Sequence, residues 1–160
     1  MQRYLTREGY DSIVEEINFL WKTERPRVVT EVSHAADMGD RSENAAYIYG
    51  KKRLRKIDSR LRYLRRKIEG IVVVDLDEQL QHDTVKFGAV VVLEDDDGEE
   101  RIYRLVDKDE SEPARGRISV QSPIGRALLD KEAGDYVTVM LPKGSLGLEI
   151  IKIRYGSGTP

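Results

Sequence analysis

Between Tyr47 and Ile71 apolar residues recur at alternating spacings of three and four: Tyr47, Gly50, Leu54, Ile57, Leu61, Leu64, Ile68 and Ile71. A repeat of that period specifies a coiled-coil seam, and a seam needs a second helix to close it. The preceding residues provide one. Tyr10, Ile13, Ile17 and Leu20 form an apolar stripe behind Thr6, a suitable N-cap, and Val28, Val29, Val32, Ala35 and Ala36 resume it beyond Pro26. Proline inside a helix removes a backbone hydrogen bond, so the spacing predicts one kinked helix that ends near Met38 with Gly39 as its C-terminal cap. Two long helices joined by a few residues run antiparallel, which predicts a coiled-coil hairpin over residues 6–70. At about 32 residues per helix and about 1.5 Å rise, the arm is roughly 50 Å long. Gly50 is the weak seam position.

After Gly70 the period changes from helical to alternating. Ile71–Val74, Val85–Leu93, Arg101–Val106, Arg117–Gln121, Tyr136–Leu141 and Leu148–Tyr155 are rich in β-branched residues. Asp95-Asp96-Asp97-Gly98 and Pro142-Lys143-Gly144 supply hairpin turns, and Ser122-Pro123 opens a short helix to Leu129. The fold class is therefore α+β: an N-terminal antiparallel helical hairpin, residues 1–74, and an antiparallel β-sheet domain with one short helix, residues 75–160. Asp75–Asp83 reads as a polar linker and Gly156–Pro160 as a loose tail.

Composition narrows the function. The chain has no cysteine, hence no disulfide framework, thiolate nucleophile or zinc ribbon, and its longest apolar runs fall far short of the roughly 20 residues of a membrane span. The opening MQRYLTREG lacks the apolar centre of a secretory signal, and a reducing cytoplasm is the expected location. The net charge of −2 conceals a division: residues 1–70 carry 16 Lys and Arg against 11 Asp and Glu, and the remainder 11 against 18.

Two features of the hairpin carry chemistry. The connection Met38-Gly39-Asp40-Arg41-Ser42-Glu43-Asn44 places Asp40 and Glu43 three residues apart at the far end. They fit a capping box that starts the second helix; equally, carboxylate pairs suit Mg²⁺, which takes one or two protein ligands beside waters and phosphate oxygens. Beyond them Lys51, Lys52, Arg53, Arg55, Lys56 and Arg60 begin a basic run, with 11 basic against three acidic residues from Arg41 to Glu69. A solvated coiled-coil face ordinarily mixes signs; a one-signed face repels itself and suits a polyanion such as single-stranded RNA. His34, His82 and the Asp95–Asp97 triple lack partners at ligand spacing, and no nucleophile arrangement is present.

These residues resemble a known family. Leu5-Thr6-Arg7-Glu8-Gly9-Tyr10, Gly39-Asp40-Arg41-Ser42-Glu43-Asn44-Ala45 and Ile118-Ser119-Val120-Gln121-Ser122-Pro123-Ile124-Gly125-Arg126-Ala127-Leu128-Leu129 are similar to the bacterial transcript cleavage factors of the GreA/GreB family, with Lys51-Lys52-Arg53-Leu54-Arg55 and Leu20–Pro26 on the GreB side. The resemblance implies an FKBP-like C-terminal domain that docks on RNA polymerase through the Ser122-Pro123 turn, while the hairpin enters the secondary channel. It implies that Asp40 and Glu43 help hold a Mg²⁺ shared with the polymerase active site, none being bound by the chain alone, and that the basic patch holds the 3′ end of backtracked nascent RNA. The chain is then an accessory factor and a monomer, with no membrane partner. The alternative is a non-catalytic secondary-channel binder that inhibits polymerase or competes with other factors; prolyl isomerisation is a poorer reading, since residues 71–160 hold only Phe87, Tyr103, Tyr136 and Tyr155 as aromatics.

Overall fold

The structure, a computed structural model, describes residues 2–39, 44–158 and 160. Its contacts divide the chain into two compact units, Tyr10–Ile71 and a second in which Met1–Gly9 joins Val72–Pro160. The division differs from a simple cut after residue 74. The reason is a short strand, β1 (Tyr4–Thr6), that pairs in parallel with β2 (Val72–Val74) and buries Leu5 and Thr6.

Thr6 begins α1 (Arg7–Phe19) as its position predicts, its hydroxyl accepting the Gly9 N–H at 3.0 Å. The kink expected at Pro26 is realised as a wider π turn over Leu20–Glu24, closed by the Arg25 N–H donating to the Leu20 carbonyl, after which α2 (Arg25–Asp37) continues. A proline ring collides with the carbonyl four residues before it, and widening the preceding turn moves that carbonyl aside. Helix α3 (Ala45–Ile68) packs back along this composite helix. Val28, Ile57 and Leu61 are buried between them, flanked by Ile17, Leu20, Val32 and Leu54.

Two seam positions behave differently from the sequence expectation. Gly50 is buried, and a Cβ there would stand 2.7 Å from Val32 Cγ2, so the small residue permits close approach. Ile71 lies beyond the end of α3.

The second unit is a five-stranded sheet in the order β5-β4-β3-β7-β6, formed by β3 (Val90–Asp95), β4 (Glu100–Val106), β5 (Arg117–Ser119), β6 (Tyr136–Leu141) and β7 (Gly144–Arg154). Three of its pairings are antiparallel as expected; β4 and β5 are parallel, so the sheet is mixed. The parallel return is possible because residues 107–116 cross over through two short 3₁₀ turns, the first closed by a capping box of Asp107 and Glu110. Helix α4 (Pro123–Leu128) packs on β6, and Leu93, Leu105, Leu128, Leu148 and Ile150 fill the core between sheet and helix.

The linker and the tail are both tied down. Gln79 Nε2 donates to the Phe87 carbonyl at 2.7 Å, and Gln81 exchanges two hydrogen bonds with the Tyr155 backbone at 2.9 and 3.0 Å. The carbonyls of Gly156 and Gly158 accept from buried Arg104 Nη2 at 2.8 and 3.0 Å, which overturns the expectation of a loose tail as far as Gly158. Polar side chains that look solvated in a one-dimensional reading become backbone clamps here.

Candidate nucleic-acid interface

The basic residues of α3 divide by their position around the helix. Lys52, Arg55, Arg62 and Arg66 succeed one another at intervals of three, seven and four, which aligns them along the exposed side opposite the seam. Lys51 and Lys56 border this row. The side chains of Lys51, Lys52, Arg55 and Lys56 make no hydrogen bond or ion pair among the described residues.

Arg53 and Arg60 are differently employed. Arg60 grips Glu16 of α1 with both arms, Nε to Oε2 at 2.6 Å and Nη2 to Oε1 at 2.9 Å. Arg53 donates through Nη2 to Glu24 Oε1, an oxygen that also takes Arg27 Nη2 at 2.7 Å. The Arg53 hydrogen bond, then that of Arg27, holds the Glu24 carboxyl below its ordinary value, and both guanidinium groups are raised in return. Arg25 similarly meets Asp58 at 2.8 Å. The expected self-repelling face is therefore corrected: acids on the opposite helix neutralise part of it, which a count along one helix does not detect.

Glu24 was not among the residues singled out from the sequence, although a signal exists. Ile17, Leu20, Glu24 and Val28 fall at spacings of three, four and four, so the glutamate occupies a stripe position that only a paired acid tolerates.

Asp40 and Glu43 lie outside the described residues. The bases of the connection that carries them are described, and they assign the capping role elsewhere. Asn44 is the N-cap of α3: its Oδ1 accepts the Tyr47 N–H at 3.1 Å and its Nδ2 donates to the Ala35 carbonyl of α2 at 2.6 Å. Starting α3 thus does not require the acid pair. Among the described residues no three His, Asp or Glu side chains gather to hold a metal ion.

At the other predicted contact point, Ser122 is the N-cap of α4; its hydroxyl accepts the Gly125 N–H at 3.0 Å and donates to the Ser119 carbonyl at 2.6 Å. Both hydrogen-bonding roles of that hydroxyl are taken within the chain, while Pro123 is exposed. Of the second unit's aromatic residues, Phe87 stacks on Tyr4 at 5.6 Å and Tyr155 is buried, its hydroxyl donating to the Thr84 carbonyl at 2.5 Å, so neither lines an open isomerase-like pocket.

Residues 3–73 match the family model described as transcription elongation factor, N-terminal, and residues 80–155 match that of transcription elongation factor, GreA/GreB, C-term. The chain belongs to the GreA/GreB family of transcription elongation factors. It is 51% identical over 152 residues to transcription elongation factor GreB of Yersinia pestis, an alignment that covers 95% of this chain and 88% of that one. The corresponding factor of Haemophilus influenzae is 49% identical over 95% of this chain and 96% of its own length. GreA factor homolog 1 of Thermus thermophilus aligns over 96% of this chain and 99% of its own at 22% identity and a TM-score of 0.44. No described helix is long and apolar enough to cross a membrane.

Proposed function

We propose that this elongation factor binds RNA polymerase, inserts its helical hairpin through the secondary channel, and stimulates endonucleolytic cleavage of backtracked nascent RNA, which rescues arrested complexes. The observation that carries the reading is the capping of α3 by Asn44. With the helix start satisfied, Asp40 and Glu43 are not needed as caps. Two carboxylates are the hard oxygen donors that Mg²⁺ accepts, and a pair alone binds it weakly, so occupancy waits for oxygens from polymerase and RNA.

In this reading Asp40 and Glu43 would hold a Mg²⁺ shared with the polymerase active site, which would polarise the scissile phosphate and lower the pKa of an attacking water. Glu43 or Asp40 orients that water and takes its proton. Lys51, Lys52, Arg55 and Lys56 bind phosphates of the extruded 3′ segment, while Arg53 and Arg60 brace the arm that presents them. Pro123 offers the exposed docking contact, held in place by Ser122. The chain acts as a monomer in the cytoplasm and as an accessory factor, since the reacting bond lies in polymerase. Its seam is closed within one chain by Val28, Ile57 and Leu61, which supports the monomer.

The test compares wild type with Asp40→Asn and Glu43→Gln on a defined backtracked complex. Loss of about 100-fold or more in cleavage rate is expected for each, the scale of a positioned acid or base. Cleavage at the wild-type rate by both variants would sink the mechanism; undiminished binding with depressed elongation in wild type would favour a blocking factor instead.

A further inference from the structure

The two edges of the five-stranded sheet are built differently. At one end β5 is three residues long and starts with Arg117, the short, charged form that guards a strand edge against unwanted pairing. At the other end β6 runs for six residues, YVTVML, with no charge, no proline and no break in its register with β7. Just before β6, Ile150 of β7 accepts the Gly134 N–H and donates its own N–H to the Asp135 carbonyl, at 2.7 and 2.9 Å. Bonding alternates along an antiparallel ladder, so Val137, Val139 and Leu141 turn their backbone groups to β7, and those of Tyr136, Thr138 and Met140 point outward from the edge. Among the described residues, no strand but β7 pairs with this one. The same three residues present their side chains on the outer face of the sheet, with Tyr136 58% and Met140 72% exposed, while Val137 and Val139 fill the core.

Beside this edge stands a row of acids. Tyr136 is opposite Glu149, Glu149 opposite Glu94 and Glu94 opposite Glu100, so three exposed carboxylates lie abreast on the outer face. Like charges directly opposite one another destabilise a sheet. The side chains of the three glutamates make no hydrogen bond or ion pair among the described residues. Asp96 adds a fourth acid: the Tyr136 hydroxyl donates to its Oδ1 at 2.9 Å, with the ring laid over Gly147, where a side chain would collide with it. We infer that β6 is a docking edge for an extended segment of a partner protein that carries lysine or arginine at alternate positions. The segment adds a sixth strand, its backbone pairing with the outward groups of Tyr136, Thr138 and Met140. Its cations lie over the Tyr136 ring beside Asp96 and Glu149, and their aliphatic stems cover Met140. Charge selects the occupant. A second copy of this chain would bring its own Asp96 and Glu149 to the edge, and an acidic segment would add to the repulsion already present, whereas a basic segment relieves it. The inference goes beyond the cleavage reading and does not depend on it, since no residue of the hairpin takes part.

The experiment titrates the full chain with two synthetic peptides, one alternating lysine with valine and one alternating glutamate with valine, and follows the backbone amides by NMR and hydrogen exchange. At saturation the lysine peptide is expected to slow exchange of the Tyr136, Thr138 and Met140 N–H groups by about tenfold or more, and the glutamate peptide to leave them unchanged. Met140→Lys places on the edge the charge that guarded strands carry, and it is expected to weaken binding of the lysine peptide by at least about tenfold. The double variant Glu94→Gln/Glu149→Gln is expected to weaken it too and to flatten its salt dependence. All three substituted side chains are exposed, and far-UV circular dichroism establishes that both variants keep their sheet. No slowing at the three edge amides, equal binding of the two peptides, or an unchanged affinity for Met140→Lys overturns the docking edge. Protection of these amides that rises with protein concentration in the absence of peptide overturns it as well, and assigns the edge to a second copy of the chain.

Discussion

Gly50 of α3 and Val32 of α2 meet so closely that the first carbon of any side chain at residue 50 would come within 2.7 Å of Val32 Cγ2. The glycine sacrifices helix propensity, about 1 kcal/mol relative to alanine, for an interhelical approach that no other residue allows. Gly50→Leu is accordingly expected to lower the stability of the helical unit by about 1–3 kcal/mol, the usual cost of overpacking. Trp21, the only tryptophan, lies in the π turn and reports unfolding of that unit by fluorescence in urea. The double variant Gly50→Leu/Val32→Ala should recover part of the loss, since it removes the colliding methyl groups.

The Glu24 carboxylate should make the hairpin acid-sensitive. Its pKa is depressed in the folded chain, chiefly by the Arg53 hydrogen bond, from an ordinary value of 4.5. A depressed acid contributes stability that is fully present above the unfolded value and is lost as pH falls through the folded one. The urea midpoint followed through Trp21 should therefore decline below about pH 4.5, and Glu24→Gln should be less stable than wild type at pH 7 but converge with it at low pH. A constant difference between the two at all pH values would rule out the linkage.

Arg104 is expected to be the costliest polar substitution in the second unit. It is 1% exposed and reaches the Gly88, Gly156 and Gly158 carbonyls, with its pKa lowered first by burial and then by Arg154 and Arg117. Arg104→Met leaves three acceptors without their donor and should cost about 3 kcal/mol. Hydrogen exchange followed by mass spectrometry should show faster exchange in residues 156–158 together with the Gly88 turn.

The two classes of basic residue should separate in one series. Lys52→Gln and Arg55→Gln should leave the thermal transition of the helical unit within about 0.5 kcal/mol of wild type, as exposed substitutions do, while reducing the salt dependence of RNA engagement. Arg53→Gln and Arg60→Gln should instead lower that transition, because Glu24 is left with Arg27 alone and Glu16 loses its bidentate partner. Calorimetry beside a salt titration distinguishes the groups.

How much of this was legible in the chain differs by element. The hairpin, the caps at Thr6 and Ser122 and most strand positions follow from local periodicity and turn chemistry, which act over a few residues. The parallel β4–β5 pairing does not, because register between strands is set by where the crossover of residues 107–116 returns. The basic run was visible, but which of its members are free was not. Arg53 and Arg60 look like Lys52 and Arg55 until α1 and the π turn bring Glu16 and Glu24 opposite them.

The acid pair at residues 40 and 43 illustrates the same boundary. The pattern admitted a capping box, and only the bonds from Asn44 to Tyr47 and Ala35 show that another residue caps the helix. By itself the sequence determined the two-part architecture, the chemical character of the hairpin's connection and the family, since these depend on residue type and spacing. Tertiary structure decided which charges are spent on bracing, why a glycine sits in the seam and where the tail is held, since each depends on groups far apart in the chain meeting at contact distance.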